Sequence, residues 1–352
     1  MLKLNVGLSN MTQNFSDELE KVKIGLKYNV DYISVISIDT PRIKELWQAI
    51  SDIYKNWLKD HPGCPTILCS APIYETILFK ENPIDTLKRH LEYGVRAFTF
   101  HITPFSMVDD ALMQGFVVNS RGGEFILESK SSPYHDNLDE IIKFAVNHNV
   151  KKIFYGTTLR PGKCEPLKGP TIDELRYICG IYDNYKEIYK FDGVDFEIEC
   201  FGHLPQSEWF YYNHIVDDRP LCAMGPLLND CVNGYDDINA IIGYSLAKAY
   251  GFNIVTECML SRSEHIKMPT IDDVEDEVTK WKVADFTVNL ENRSDYKRKR
   301  GKIMAIKESQ GTQCSAHINI FGKMNIQETC DVCGEHCPLL REKKGEKQLD
   351  SN

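Results

Sequence analysis

The chain has 352 residues, of which 42% are hydrophobic and 26% charged, as in ordinary globular proteins and unlike disordered ones. Its formal net charge is −10, so it has no overall field that would gather nucleic acid or an anionic membrane. We therefore expect neither as a partner, and any bound phosphate must be held by local contacts.

The first residues, MLKLNVGLSN, enter a strand-like pattern at once, without the basic stretch and long apolar segment of a signal peptide. No later run approaches the roughly 18 apolar residues of a membrane helix. These features predict a cytoplasmic protein. In that compartment the twelve cysteines are expected to be buried, metal-binding or catalytic rather than paired in disulfides.

Short β-branched or apolar runs alternate with amphipathic helical stretches up to about residue 292. The runs are residues 4–8, 32–38, 66–70, 97–102, 116–119, 153–155, 194–198, 221–224 and 254–257. Their length and continuous apolarity are typical of buried parallel strands. Repeated strand–helix units in this number favour an α/β fold of the TIM type, a closed (βα)8 barrel. One run is then surplus, either 116–119 or 221–224.

Local signals mark several helices between these runs. Pro170 with Thr171-x-x-Glu174 predicts a capping box, and Pro269-Thr270 predicts another helix start. Gly251 is expected to end the preceding helix. The apolar face of that helix is predicted to contain Ile238, Ile241, Ile242 and Leu246. No glycine-rich dinucleotide or P-loop motif is present, which disfavours a nucleotide-binding open sheet.

The composition changes after residue 292. Residues 293–310 are rich in lysine and arginine and predict a basic helical linker. We therefore expect a barrel with the substrate and metal sites over 1–292, a helical linker and cysteine-rich segment over 293–340, and a disordered charged tail over 341–352.

Barrel enzymes carry their chemistry at the carboxyl ends of the strands. Polar residues collect where the apolar runs stop, and their shared position at one rim favours a functional site. They are Asn5, Ser34, Tyr74, His101, Ser120, Arg121, Arg160, Glu199, His203, Glu257 and His265.

Two segments at this rim suit an anion. Ser120-Arg121-Gly122-Gly123 and Leu159-Arg160-Pro161-Gly162 each combine a guanidinium with glycines that let backbone N–H groups approach a ligand. They predict a small phosphorylated substrate, although such tetrapeptides also form ordinary turns.

Two histidines follow late strands. His203 and His265 could bind one divalent metal, such as zinc or iron, with positions left open for substrate or water. Their alternative role is that of hydrogen-bonded loop histidines.

Three cysteines stand close together near the end of the chain. Cys330, Cys333 and Cys337 have the spacing C-x2-C-x3-C. Three thiolates can hold three irons of a [4Fe–4S] cluster and leave the fourth iron open to S-adenosylmethionine. Structural zinc is the alternative, because Cys314-x2-His317 followed by Cys330-x2-Cys333 is also an acceptable zinc pattern.

In their order along nearly the whole chain, these residues resemble the phosphomethylpyrimidine synthases of thiamine biosynthesis. The matching motifs are Asn5-Val6-Gly7, Pro72-Ile73-Tyr74, the strand-end His101, Ser120 to Gly123, Leu159 to Gly162, Glu199 to His203, Gly225-Pro226-Leu227, Gly234-Tyr235-Asp236 and Glu264-His265. No single motif is specific, but the series is.

The resemblance implies a radical S-adenosylmethionine lyase that uses an external one-electron reductant. A deoxyadenosyl radical would abstract hydrogen from aminoimidazole ribotide, whose carbons are rearranged into 4-amino-5-hydroxymethyl-2-methylpyrimidine phosphate. It also implies a homodimer in which the cluster segment covers the partner subunit's active site, and a divalent metal on His203 and His265.

By the same resemblance, Arg121 and Arg160 would hold the substrate, and Glu199, Tyr74 and His101 would also take part in catalysis. The other implied substrate contacts are Asn5, Ser34, Ser120, Gly122, Thr157, Thr158, Leu159 and Cys222.

The chain departs from the family's pattern at four of its site positions and in the cysteine spacing. Ser34 replaces a methionine, Thr157-Thr158 replaces Asp-Gly, and Cys222 replaces a tyrosine, while the cysteine motif is one residue shorter than C-x2-C-x4-C. Loss of the aspartate removes a carboxylate that could orient the substrate or take a proton. Two alternatives therefore stay open: the related 5-hydroxybenzimidazole synthase of anaerobic cobamide biosynthesis, which uses the same substrate, and a non-catalytic zinc-binding paralogue.

Overall fold

Eight parallel strands of the chain form a closed barrel in the computed structural model, which describes residues 1–8, 14–38, 41–117, 120–310, 316–318, 324–326 and 336. Each strand pairs with the next along the chain, and β1 pairs with β8 to close the ring. The strands are β1 Leu2–Val6, β2 Tyr32–Val35, β3 Ile67–Ser70, β4 Ala97–His101, β5 Lys152–Gly156, β6 Asp195–Phe201, β7 Leu221–Met224 and β8 Ile254–Cys258. The predicted (βα)8 barrel is confirmed.

The surplus run is the one at 116–119. Residues 221–224 form β7, between β6 and β8. Phe116 and Val117 lie in no strand, and residues 118–119 are outside the described part of the chain.

Helices follow the strands around the barrel. They are α1 Phe15–Lys27, α2 Ile43–Asp60, α3 Ile73–Leu78, α4 Pro83–Glu92, α5 Phe105–Met113, α6 Arg121–Ser129, α7 Pro133–Asp136, α8 Leu138–Asn147, α9 Gly169–Ile188, α10 Trp209–Val216, α11 Asp236–Ala249 and α12 Ile271–Val288. None of the described helices is long and apolar enough to span a membrane.

Both faces of the strands are buried, and most of their residues are apolar. Their inward side chains form a cluster of Tyr32, Cys69, Ala97, Phe154, Cys222 and Cys258. On the outer face, Gly25 of α1 packs so closely that an added Cβ would lie 2.8 Å from Ile33 Cδ1 of β2. Burying each large aliphatic side chain in such layers contributes about 1.5–3 kcal/mol.

Two buried ion pairs lie within the barrel. Lys152 Nζ is 2.7 Å from Glu197 Oε1, and Lys3 Nζ is 2.7 Å from Glu199 Oε2. Burial of a charge is tolerated only when it is paired and hydrogen-bonded, as here. Since Glu199 follows Glu197 by two residues on β6, the second pair lies nearer the carboxyl ends of the strands.

Two of the predicted helix signals are confirmed. Thr270 and Asp273 form a reciprocal cap at the start of α12, with N···O distances of 3.0 and 3.1 Å. Gly251 follows the end of α11 with a φ of +93°. The capping box at Thr171 is wrong, because α9 begins at Gly169 and no side chain caps it.

The predicted apolar face of α11 is also wrong. Ile238 and Ile242 are 45% and 49% exposed, whereas Ala240, Gly243 and Ala247 are buried. The cause is the close approach of the preceding loop: a Cβ on Gly243 would lie 1.8 Å from the carbonyl oxygen of Pro226. Only a glycine fits at that position, and Asp237 and Tyr244 are buried on the same helix beside the small residues.

The chain divides into two compact units, Met1–Trp281 and Lys282–Asn352. In the second, α13 Ser294–Gln310 confirms the predicted basic helix. A short antiparallel pair follows, β9 Ala316–Ile318 and β10 Met324–Ile326. Cys314, Cys330, Cys333, Cys337 and the tail at 341–352 lie outside the described residues.

Candidate active site

A cavity of about 200 Å³ opens at the carboxyl ends of the barrel strands. We call it the rim cavity. Its lining residues are Lys3, Asn5, Ser34, Ile36, Ala71, Tyr74, Thr99, His101, Ser120, Arg121, Arg160, Glu199, Met224, Cys258 and Glu264. Because parallel strands all end at the same edge, predicted contacts that are far apart in sequence converge here.

Glu199 lies at the centre of the charges around the cavity. One carboxylate oxygen accepts from Lys3 Nζ at 2.7 Å, and the other lies 3.9 Å from Arg160 Nη2. Burial alone would raise the pKa of Glu199, but the cations of Lys3 and Arg160 outweigh it and hold that pKa at about 2. Glu199 is therefore an anionic acceptor throughout the physiological pH range.

His101 stands at the end of β4 as a buried, neutral imidazole. Burial is the largest influence on the pKa of His101 and lowers it to about 4, although the carboxylate of Glu199 acts to raise it. Its Nδ1 has no hydrogen-bond partner among the described residues. Gly122 packs against the ring, where an added Cβ would lie 2.2 Å from Cδ2. A buried polar atom without a partner is costly, so the ring is suited to a ligand or water in the cavity.

The Ser120 to Gly123 segment forms the first turn of α6. The Ser120 hydroxyl accepts from the Gly123 N–H at 3.0 Å and caps the helix. The Arg121 guanidinium lies 5.7 Å from the Tyr74 ring centroid and donates to the Ile36 carbonyl at 3.3 Å. A helix N-terminus beside a guanidinium is a favourable position for an anion.

The Leu159 to Gly162 segment follows β5 and presents Arg160 to the same cavity. Arg160 Nε donates to the Thr157 carbonyl at 3.2 Å, and Nη1 contacts Met224 Sδ. The loop is held from behind by Glu174 of α9, which accepts from the N–H groups of Thr158 and Leu159, each at 2.7 Å.

Several residues implied as substrate contacts lie outside the lining of the rim cavity. The hydroxyl of Thr157 donates to the carbonyl of Glu199 at 2.9 Å, and that of Thr158 contacts Glu174. Leu159 and Cys222 are fully buried, and Gly122 lies behind His101. These positions shape the wall of the cavity. Glu257 also lies away from it and accepts from the Gly225 N–H at 3.1 Å.

Three buried donor groups lie beneath the rim cavity. Ligand atoms of Glu199, Cys222 and Cys258 lie within 4.8 Å of one another. A cation is disfavoured at this position because the Lys3 ammonium already neutralises Glu199. Burial also raises the pKa of Cys222 well above its ordinary value and keeps the thiol protonated.

A second cavity of about 240 Å³, the histidine cavity, adjoins the first and shares Arg160, Met224 and Glu264 with it. The rings of His203 and His265 line it, with centroids 4.9 Å apart.

Each of these rings is oriented by a carboxylate. His203 Nδ1 contacts Asp230, and His265 Nδ1 lies 2.9 Å from Asp236 Oδ2. Metal-bound histidines commonly have such carboxylate partners, which leave Nε2 for the ion. The two side chains therefore fit a divalent metal.

Sequence reasoning missed four residues of these sites. Lys3 and Thr99 could have been found by strand alternation, because they precede Asn5 and His101 by two residues and must share their face. Glu174 was interpreted as a helix cap. Asp230 carried no local signal.

The fold and the site together define a (βα)8-barrel enzyme whose polar groups meet at the carboxyl ends of the strands. Its sequence matches the Radical SAM ThiC family over residues 2–344. The chain therefore belongs to that family, as the resemblance implied, and the family in turn implies a [4Fe–4S] cluster and S-adenosylmethionine.

Curated relatives span nearly the same length. The phosphomethylpyrimidine synthase of Thermotoga petrophila is 25% identical over 370 residues, which cover 95% of this chain and 83% of that protein. The enzyme of the same name from Methanocaldococcus jannaschii is 26% identical and covers 96% and 83%. Among solved structures, a dihydropteroate synthase from Coxiella burnetii aligns at 11% identity and a TM-score of 0.43 over 82% of this chain and 93% of that one.

Proposed function

We propose that the chain converts aminoimidazole ribotide, or a close analogue, into 4-amino-5-hydroxymethyl-2-methylpyrimidine phosphate by radical chemistry. The observation that carries the proposal is the rim cavity, in which Arg121 and Arg160 lie around the anionic Glu199 beside the paired histidines. Family membership and the names of the relatives support the same reaction.

Different residues of the rim cavity would bind different parts of the substrate. Arg121, the N-terminus of α6 and Arg160 would bind the phosphate, because guanidinium groups and free helix N–H groups favour phosphate oxygens. Glu199 would accept from N–H or O–H groups of the substrate. His101 lines the cavity and is neutral at pH 7, so its ring can accept or return a proton there, according to its tautomer.

The cofactors would be held by two sets of residues. His203 and His265 would hold a divalent ion, zinc or iron, which polarises oxygen ligands. Cys330, Cys333 and Cys337 would hold the cluster. When bound, the reduced cluster supplies the electron that cleaves S-adenosylmethionine to a deoxyadenosyl radical.

A second product, 5-hydroxybenzimidazole, is favoured by one specific observation. At the position of the family's Asp-Gly, the hydroxyls of Thr157 and Thr158 bond within the wall of the cavity and supply no carboxylate. A rearranging intermediate would therefore meet a different set of proton acceptors.

The test is anaerobic reconstitution with iron and sulfide, followed by reduction and incubation with S-adenosylmethionine and aminoimidazole ribotide. Products are identified by mass. We expect deoxyadenosine and the pyrimidine phosphate, while the mass of 5-hydroxybenzimidazole would select the second product. Deoxyadenosine without a new heterocycle would indicate another substrate.

A pair of cysteine variants tests the cluster. Cys330→Ala should abolish cluster assembly, measured as bound sulfide, and deoxyadenosine formation, whereas Cys231→Ala, at an exposed cysteine of the barrel unit, should change neither. Zinc without iron in the reconstituted wild-type protein would refute radical chemistry and favour the zinc-binding paralogue.

A further inference from the structure

Lys3 stands at the floor of the rim cavity and was not identified as a site residue from the sequence. We infer that Lys3 binds the substrate directly, an inference that rests on the function proposed above. Together with Glu199, Lys3 recognises the nitrogen heterocycle at the end of the substrate remote from the phosphate.

The geometry leaves the ammonium of Lys3 able to donate to a ligand. Two of its three N–H groups have acceptors, Glu199 Oε2 at 2.7 Å and Thr99 Oγ1 at 3.0 Å. The ammonium also lies over the face of Phe154, with the ring centroid 4.2 Å away, and near buried thiols such as that of Cys222. A ring face is a weaker partner than the nitrogen or oxygen of a ligand.

The cavity has two chemically different ends. Arg121 is exposed, whereas the side chains of Lys3 and Glu199 are only 3% and 7% exposed. The outer end thus presents a guanidinium to an anion. The floor presents a donor, Lys3, next to an acceptor, Glu199, and this pair complements a heterocycle that carries both an amino group and an unprotonated ring nitrogen.

The barrel supplies a matched control for Lys3. Lys152 is also buried and lies 2.7 Å from a glutamate, Glu197, but it lines a cavity with Met1 and Lys186 that contains no predicted site residue. Lys3→Met and Lys152→Met each remove one buried ammonium and, with it, the shortest ion pair of a buried glutamate. They should therefore perturb folding to a similar extent, and thermal unfolding checks this.

Calorimetric titration with two ligands separates an effect on recognition of the heterocycle from an effect on the stability of the protein. Aminoimidazole ribotide carries the heterocycle, the ribose and the phosphate, whereas ribose 5-phosphate carries the ribose and the phosphate without the heterocycle. Lys3→Met should weaken the affinity for aminoimidazole ribotide about tenfold or more. Its affinity for ribose 5-phosphate should stay within about twofold of that of the wild-type protein. Lys152→Met should change neither affinity, and Arg121→Ala should weaken the affinity for both ligands.

The outcomes are distinguishable. Equal affinity of Lys3→Met and wild type for aminoimidazole ribotide, or equal weakening of both ligands, would overturn the inference and leave the proposed function standing. Failure of the wild-type protein to bind aminoimidazole ribotide would overturn the proposed function itself. If Lys3→Met does not fold, Lys3→Met/Glu199→Gln is compared with Glu199→Gln, and Lys3 must then cause a further loss of affinity.

Discussion

Glu174 is expected to hold the loop that presents Arg160, although it does not line the rim cavity. Its buried carboxylate accepts from the N–H groups of Thr158 and Leu159 at 2.7 Å and from the hydroxyls of Thr103 and Thr158. Glu174→Ala removes all of these acceptors at once, whereas Glu174→Gln places an amide donor against one of the N–H groups.

The magnitude follows from the unpaired groups. Each buried backbone N–H without an acceptor costs about 1–3 kcal/mol, so Glu174→Ala should lower the free energy of unfolding by about 2–6 kcal/mol. Glu174→Gln leaves one such group and should cost about 1–3 kcal/mol. Loosening of the loop should also displace Arg160 and weaken phosphate binding about tenfold or more.

Urea unfolding and calorimetric titration with ribose 5-phosphate measure the two effects. Glu187→Gln is the control, because Glu187 lies on the same helix with a side chain that is 75% exposed, and it should change stability by less than about 0.5 kcal/mol. The reasoning would be refuted by a Glu174→Ala protein as stable as the control, or by a destabilised one that binds ribose 5-phosphate like wild type.

Two further outcomes are expected. Burial alone would raise the pKa of Glu75, but His90 and a neighbouring guanidinium hold it at about 2. Because this folded-state pKa lies below the unfolded value, the stabilisation is present above about pH 5 and is lost towards pH 2. Between pH 7 and pH 3 the free energy of unfolding, measured in urea, should therefore fall by about 2 kcal/mol less in Glu75→Gln than in the wild-type protein. An unchanged pH dependence would contradict this. Asp230→Asn should weaken zinc binding about 10–100-fold by chelator competition, whereas Asp218→Asn, at an exposed site, should not; equal affinities would show that Asp230 does not orient His203.

The sequence was sufficient for the barrel and for the side chains at its rim. Both follow from local patterns: continuous apolar runs predict strands buried on two faces, and the residue after each run must lie at the carboxyl edge. Arg160, Glu199 and His101 therefore reach one cavity without any knowledge of how the strands pair. Arg121 lines the same cavity for another reason: it follows no strand directly but begins α6, in the segment after β4.

Contacts between distant residues escaped prediction. A lysine in a five-residue strand is usually solvent-exposed, and the burial of Lys3 depends on Glu199, 196 positions away. Glu174 similarly satisfied a capping pattern but bonds to the loop after β5. On α11 the carbonyl of Pro226 leaves no room for a side chain at Gly243, and this contact between distant residues overrode the apolar pattern.

The charge distribution would allow an acidic chain to bind the proposed phosphorylated substrate. The net charge is −10, yet the rim cavity gathers Lys3, Arg121 and Arg160 around two carboxylates, Glu199 and Glu264. Burial raises the pKa of Glu264 from its ordinary value, although the neighbouring His265 and Arg121 act to lower it. A phosphate monoester of about −1.5 to −2 at pH 7 complements this local excess of cations. Since Glu199 neutralises Lys3 at the floor, the uncompensated positive charge lies at the two arginines, and this asymmetry should fix the direction in which the substrate enters.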